Sequence, residues 1–443
     1  MTAKRPRIDR GHLLRILGVT FGIAAAIGNM IGAGVLRAPA SIAGTVPDAA
    51  LIVGLWVLGG LHAALGINIL AELGTAVPQS GGPYLYAHRA FGDVAGLVVG
   101  WSVFLSKLAG IAATSIAFAD FLPLVVPAAK PYTLEVAIAV QIVLYATNAF
   151  GLRQGSRVQE ASSFIKTLML LVFIGAAVAV AAPPQHAATM GANGFGWVAI
   201  VGAYSLIKGA YSGYDAPVYF TEENQAPSAS IPRALGIGLS MTAILYIGVN
   251  AALLYALGTK GVAATPLPFN TVLDRIGGSV PGLLFALGAM IAVAGVTNSG
   301  IMSAPRVIYA LSRDRLLPGI FQYVNKGGNP DAAMLLTAVG SLALAASGSF
   351  ALVFGLIALM DTVGAVLVDG ALFALRRQEP HLKRPFKTIG YPLLPALLLA
   401  VDLVLLVLFA GADYRGLAFA AGLADVCVPF AIVARRAKFG QEG

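Results

Sequence analysis

The sequence predicts an all-α polytopic membrane protein, and three observations carry that reading. The 443 residues are 58% hydrophobic and 11% charged, with a mean hydropathy of +0.82, which is far from the composition of a soluble chain. Apolar stretches such as Leu168 to Ala182 and Leu393 to Ala410 run unbroken, whereas the strands of a transmembrane β-barrel alternate over ~10-residue segments. Roughly 255 apolar residues, at ~20 to 22 per crossing, supply roughly 12 transmembrane helices with short connections. Little chain remains for a separate catalytic domain.

Taken in chain order, apolar runs separated by polar or Gly/Pro-rich joints place crossings at about 13–40, 49–76, 93–125, 133–150, 158–182, 195–222, 233–258, 280–311, 332–347, 351–375, 390–411 and 415–434. Sizeable polar joints fall at 183–195, 259–279, 312–331 and 376–389. The expected organisation is a basic tail over 1–12, one 12-helix domain over 13–435 and a short tail over 436–443. The first apolar run is too long for a signal peptide, so no cleaved leader is expected. The single cysteine, Cys427, lies in the last apolar run. One thiol makes neither a disulfide framework nor a cysteine-based metal site.

The net charge of +9 raises the question of nucleic acid, and the placement of the charges answers it. With a cytoplasmic N-terminus, the inside segments hold 21 of the 29 Lys and Arg residues, including five from Lys4 to Arg15, five from Arg376 to Lys387, and Arg435, Arg436 and Lys438. The outside segments hold four: Lys130, Lys260, Arg275 and Arg415. This is the positive-inside bias of a multi-pass protein of the cytoplasmic (inner) membrane with both termini in the cytoplasm. The basic excess needs no nucleic acid. Arg37, Lys107, Lys166 and Lys208 remain, inside predicted crossings, where an ionisable group is costly enough to signal function.

Two crossings are interrupted. The first carries Gly28-Asn29-Met30-Ile31-Gly32-Ala33-Gly34, three glycines in seven residues, and the sixth carries Gly209-Ala210-Tyr211-Ser212-Gly213-Tyr214-Asp215-Ala216-Pro217. Glycine costs about 1 kcal/mol relative to alanine inside a helix, although a single glycine-rich face can also serve close helix packing. Unwound backbone is tolerated at membrane depth only where it lines a cavity. Interruptions five crossings apart are what an inverted five-helix repeat predicts, with repeat one over about 13–182, repeat two over about 195–375 and peripheral helices over about 390–434. Exposed N–H groups at the start of an outer half-helix suit a carboxylate, and exposed C=O groups at the end of an inner one suit an ammonium. The pair suits the head group common to α-amino acids.

The residues around these breaks resemble the amino acid–polyamine–organocation superfamily of amino-acid permeases, over nearly the whole chain. Gly28 to Val35 resembles its G-x-x-I-G-[SAT]-G-[IV] first-helix break. Ala71-Glu72-Leu73-Gly74, followed by Pro78-Gln79-Ser80-Gly81-Gly82-Pro83-Tyr84-Leu85-Tyr86 and Phe91-Gly92, resembles the loop after its second helix. Gly213-Tyr214-Asp215, Glu222-Glu223-Asn224, Pro227 and Ile231-Pro232-Arg233 resemble its sixth-helix signature, and Tyr309 to Asp314 with Leu316-Leu317-Pro318 resembles the end of its eighth helix. The resemblance implies a LeuT-type 5+5 inverted repeat. It also implies a secondary transporter with both helix breaks at the substrate. By position it assigns the carboxylate to the N–H groups of Gly32, Ala33 and Gly34, and the ammonium to C=O groups near Asn29, Met30, Gly209 and Ala210, with Ile31, Ser106, Tyr211, Ser212, Gly213 and Tyr214 completing the site. Ala33 replaces a common serine or threonine, and Gly209 replaces an aromatic gate, for which Tyr211 or Tyr214 is the substitute.

Lys166 matches a fifth-helix lysine of proton-coupled and L-type members, whose ammonium takes the place of a sodium ion. Two roles fit it, a titrating coupling group and a fixed cation bridging carbonyls, so proton symport and exchange both stay open. Ser106 stands where cationic amino-acid carriers have glutamate, which favours a neutral or small substrate; acidic amino acids received by Lys107 or Lys208, and amines or polyamines, are the alternatives. Lys107 and Lys208 are each expected to pair with Asp215 or to reach towards an interface. Glu72, Glu222 and Glu223 are expected to pair with Arg89 or Arg233 in a gate. His62 has no neighbouring ligand set, and neither a metal nor a cofactor is expected. A membrane enzyme has no support: the chain carries no G-x-x-x-x-G-K-[ST], H-E-x-x-H or G-x-S-x-G motif. A channel is a second rival, disfavoured because paired breaks suit an occluded substrate. The expected partners are an amino acid, the lipid bilayer and, in the proton-coupled reading, protons. The sequence leaves the oligomeric state open.

Overall fold

The computed structural model describes residues 13–180, 196–265, 267–277, 279–346 and 350–412. Its helices are α1 (Val19–Met30), α2 (Ala33–Thr45), α3 (Ala49–Ala76), α4 (Pro83–Phe91), α5 (Asp93–Val125), α6 (Thr133–Ala149), α7 (Leu152–Val180), α8 (Trp197–Tyr211), α9 (Pro227–Ala263), α10 (Pro268–Gly277), α11 (Ser279–Arg313), α12 (Asp331–Ala346), α13 (Phe350–Gln378) and α14 (Leu393–Ala412). The 3-10 turns are Pro127–Tyr132, Ala216–Phe220 and Gly319–Gln322. Among the described residues, seven spans are long and apolar enough to cross a membrane, the first being α1 and α2 taken together. The crossing expected at 415–434, with Cys427, both tails and the joint at 183–195, lies outside the described residues.

Local chemistry sets the boundaries. Asp48 caps α3 by accepting from the Leu51 N–H at 2.7 Å. Pro83 and Pro227 open α4 and α9, positions where a missing N–H costs nothing. The expected second and third crossings coincide with α3 and α5, while the first begins later than residue 13 because the chain before α1 is committed elsewhere. Leu17 pairs in a parallel bridge with Asn224, its N–H donating to Glu223 O and its C=O accepting from Gln225 N, both at 2.9 Å. This strap ties the leg of α1 to the segment after α8.

Two joints hold helices that the sequence reading left as connections. In the 77–92 joint, Gly82 (φ +70°) turns the chain into α4 and Gly92 (φ +83°) separates α4 from α5. A Cβ on Gly82 would lie 2.3 Å from the Tyr219 ring. In the 259–279 joint, α10 presents Phe269, Val272 and Leu273 inward, with the Phe269 ring 4.6 Å from Phe173 and 4.8 Å from Phe285. Its polar face had masked an apolar one with helical spacing.

The interior is made by α5 packed along α11 and α13, and by α9 packed along α1 and α3. Apolar side chains also face outward, among them Leu61, Val143, Phe164, Val172, Ile244, Leu284, Val339 and Val407. Such an outward apolar belt matches a hydrocarbon surround.

Candidate binding site between two helix breaks

Helix α1 stops at Met30 and α2 starts at Ala33, with Ile31 (φ −74°, ψ 97°) and Gly32 (φ −149°, ψ −149°) extended between them. No side chain caps α2, so the first N–H groups of its opening turn remain directed at whatever faces it. The second break begins later than expected. Gly209 and Ala210 are still helical, α8 ends at Tyr211, and Gly213 (φ +97°) turns the chain into the 3-10 turn at Ala216–Phe220. Pro217, which has no N–H, is the second residue of that turn, and no second α-helical half forms there.

The breaks touch. Asn29 Nδ2 donates to Gly213 O at 3.2 Å, and a Cβ on Gly213 would lie 2.3 Å from that amide nitrogen. The Tyr246 hydroxyl of α9 lies 2.6 Å from Met30 O and 3.0 Å from Ala210 O. A hydroxyl has one hydrogen, so it satisfies one of these carbonyls at a time.

Lys166 sits behind the first break, fully buried, with Nζ donating to Gly28 O (2.7 Å), Ile31 O (3.0 Å) and Ala292 O (3.2 Å). Three acceptors match the three N–H bonds of an ammonium. It ties the end of α1 to α11 and does not line the cavity in front of it.

That cavity holds about 380 Å³ and is lined by Asn29, Met30, Gly32, Ala33, Gly34, Ser106, Lys107, Lys208 and the run Gly209 to Asp215. All the residues assigned to the site therefore converge except Ile31 and Lys166. The Tyr211 hydroxyl donates to Trp56 O at 3.1 Å, and its ring packs 5.0 Å from Tyr246.

Of the two lysines expected to face Asp215, one does and the other does not. Lys107 Nζ lies 3.9 Å from Asp215 Oδ1 and 4.5 Å above the Tyr219 ring, and Tyr219 donates to Asp215 Oδ2 at 2.7 Å. Lys208 does not pair with Asp215; its Nζ donates to Asp402 Oδ1 on α14 at 2.5 Å. His62 Nε2 is 3.5 Å from the same oxygen. No acid was expected opposite Ser106, yet Asp361 on α13 accepts from Ser106 Oγ at 2.5 Å and from Ser212 Oγ at 2.8 Å. Asp361, Asp369 and Asp402 all line the cavity. Their signal is present in the sequence as single acids in apolar runs. Among the described residues, no group of three or more His, Cys, Asp or Glu side chains is disposed to hold a metal ion.

At one end of the bundle the gate acids find other partners than Arg89 and Arg233. Glu72 receives Arg376 through Nε (2.9 Å) and Nη2 (2.5 Å), Arg384 Nε at 3.2 Å and the Thr388 N–H at 2.6 Å. Glu222 pairs with Arg313, and its N–H donates to Ser80 Oγ at 3.1 Å. Glu223 pairs with Arg306 at 2.9 Å, both buried. Arg89 instead takes Glu379 in a two-point bond of 2.8 and 2.6 Å, which holds the Glu379 carboxyl below its usual range. Tyr84 donates to Asp314 at 2.6 Å. The Pro78 to Tyr86 motif is thus the clasp that joins α3, α4, α11 and the segment after α8.

Residues 17–420 match the amino acid permease family. The chain belongs to that family. The permease is 27% identical to the branched-chain amino acid permease BcaP of Bacillus subtilis, over 89% of its own chain and 88% of that protein. It is 25% identical to the serine/threonine exchanger SteT of the same organism, over 97% and 99%. It is 24% identical to the large neutral amino acids transporter small subunit 2 of Oryctolagus cuniculus, over 85% and 72%. The permease is therefore a multi-pass membrane transporter of amino acids, of the amino acid–polyamine–organocation superfamily, and not an enzyme.

Proposed function

We propose that the permease carries neutral amino acids across the cytoplasmic membrane by alternating access. Twelve helices in a LeuT-type 5+5 inverted repeat plus two peripheral helices, with both termini cytoplasmic, complete this reading. The observation that carries it is the shared cavity: the uncapped start of α2 and the carbonyl ends of α1 and α8 face one space of about 380 Å³. The N–H groups of Gly32, Ala33 and Gly34 take the carboxylate, aided by the positive end of α2. Carbonyls of Asn29 and Gly209, with whichever of Met30 or Ala210 the Tyr246 hydroxyl leaves open, take the ammonium. Side-chain contacts come from Ser106, Ser212 and Tyr214.

A neutral side chain is supported by charge pairing rather than by a missing acid. Lys107 faces Asp215, Lys208 faces Asp402, and both oxygens of Asp361 are taken by serines. The relatives named above carry branched-chain amino acids, serine and threonine, or large neutral amino acids. Asp361 also favours a second reading, an amine or cationic amino acid that displaces Ser106 or Ser212 from it.

Counterflow into proteoliposomes tests the proposal. Saturable, stereoselective exchange of L-leucine or L-serine is expected, with alanine competing better than arginine, lysine or putrescine. Dominance by the cations would transfer the assignment to the second reading, and unsaturated flux would sink the carrier. Net accumulation under an imposed pH gradient separates proton symport from exchange.

A further inference from the structure

The cavity has a second charged centre where α13 and α14 meet α3 and α8. Asp402 is 2% exposed and Asp369 is 4% exposed, and their carboxyl groups lie close enough to act on each other. Two ionised carboxylates so placed repel, and one proton held between them removes the repulsion. Asp369 Oδ2 is buried and meets no N–H or O–H donor among the described residues. Asp402 Oδ1, in contrast, is occupied by Lys208 and faced by His62. The dyad is therefore asymmetric: Asp402 has its cations and Asp369 has an orphaned oxygen on the cavity wall.

We propose that Asp369 and Asp402 hold one proton between them and that this dyad, not Lys166, is the permease's proton-binding site. The inference rests on the carrier reading above and adds to it the group that couples protons to transport. Lys166 is already matched by three carbonyls. The dyad is one proton short without an exchangeable one. On release the O–H bond of Asp369 breaks, the electron pair stays on the carboxylate oxygen and the proton passes to water in the cavity.

The link to transport runs through α8. Lys208 lies one residue before Gly209, in the helical end of the second break, while both carboxylates belong to α13 and α14. Movement of α8 against these helices moves the only lysine in contact with Asp402 among the described residues. Withdrawing that cation favours proton uptake by the dyad, and returning it favours release. The other titratable groups facing the dyad are His62 of α3, Tyr204 of α8, Tyr214 beyond it and Asp361 of α13. Asp361 is occupied by two serines, and the tyrosines are donors rather than bases at neutral pH.

Infrared spectroscopy of the purified wild-type permease tests the proton directly. A protonated-carboxyl C=O band is expected at neutral pH, shifted in deuterated water, altered on adding L-leucine or L-serine, and lost in Asp369→Asn. Asp402→Asn is expected to displace or remove the same band, which keeps the test open if one variant misfolds. In proteoliposomes, protons moved per amino acid are expected to fall towards zero in both variants, a ratio independent of how many molecules are active. Absence of the band in wild type, or an unchanged proton ratio in both folded variants, overturns the proposal. Counterflow of either amino acid without proton movement in wild type overturns it while leaving the carrier reading intact. If neither amino acid moves, the carrier reading fails and the infrared band alone decides the dyad.

Discussion

A Cβ on Gly34 would lie 2.9 Å from the Cα of Ala210, so the opening turn of α2 rests directly on the last turn of α8. Gly34 lines the cavity and is also the point where two backbones meet. Real Cβ atoms do not tolerate such a distance to backbone, and neither helix can give way without moving a cavity wall.

Gly34→Ala is therefore expected to push α2 off α8. Overpacking of this kind costs about 1–3 kcal/mol, which translates into transport slowed by about tenfold or more if the cost falls on the transport-competent packing. Initial uptake rates with a size-exclusion profile of the purified variant check this. Gly34→Val, with two further methyl groups, is expected to abolish binding. Normal uptake by either variant removes the contact from the mechanism.

Lys166→Ala removes the ammonium that joins Gly28 O, Ile31 O and Ala292 O. Leaving a buried carbonyl without its donor costs about 1–3 kcal/mol. A lower unfolding midpoint and loss of concentrative uptake are expected, with amino-acid binding still measurable by thermal shift. Lys166→Met, which restores bulk without donors, is expected to leave the uptake defect in place.

Glu72 is the centre of a clasp made by Arg376, Arg384 and the Thr388 N–H. Glu72→Gln loses both ion pairs while keeping the size of the side chain. Thiol labelling at Leu70→Cys, on the cavity wall, reports opening at this end. Faster labelling in the Glu72→Gln background is the expected outcome; equal rates would show that the clasp does not hold the end shut.

The Arg89–Glu379 pair joins α4 to the end of α13 and lies in contact with solvent, at 38% and 34% exposed. The hydrogen bond from Arg89 lowers the Glu379 pKa in the folded protein. Its contribution is present above the ordinary carboxylate value of about 4.3 and is lost as pH falls through the lowered folded value. Solvent screening limits it to about 0–1 kcal/mol. Glu379→Gln is expected to lower the unfolding midpoint slightly at neutral pH, with the difference from wild type vanishing in acid.

Much of the architecture was legible because lipid imposes a length on every apolar run. Ala49–Ala76 and Asp93–Val125 could be read to the residue from hydropathy and flanking polar groups. The first break was legible for a related reason, since three glycines in an apolar span contradict helix propensity. The second was placed slightly early, because Gly209 and Ala210 look like a break but stay helical under packing from Tyr246 and Gly34. Helices α4 and α10 were missed, being short and half polar.

Apart from Lys107 and Asp215, the pairing of charges was not legible. Lys208 finds Asp402, Glu72 finds Arg376, and Ser106 finds Asp361, across separations of 194, 304 and 255 residues. Hydrophobic periodicity is a local property of the chain, so the sequence by itself determined the membrane class, the order of the crossings and the position of the first break. Which buried charge faces which depends on the rotation and depth of each helix in the bundle. Only the packed structure decided that Lys166 is answered by three carbonyls while Asp369 keeps one oxygen without a donor among the described residues.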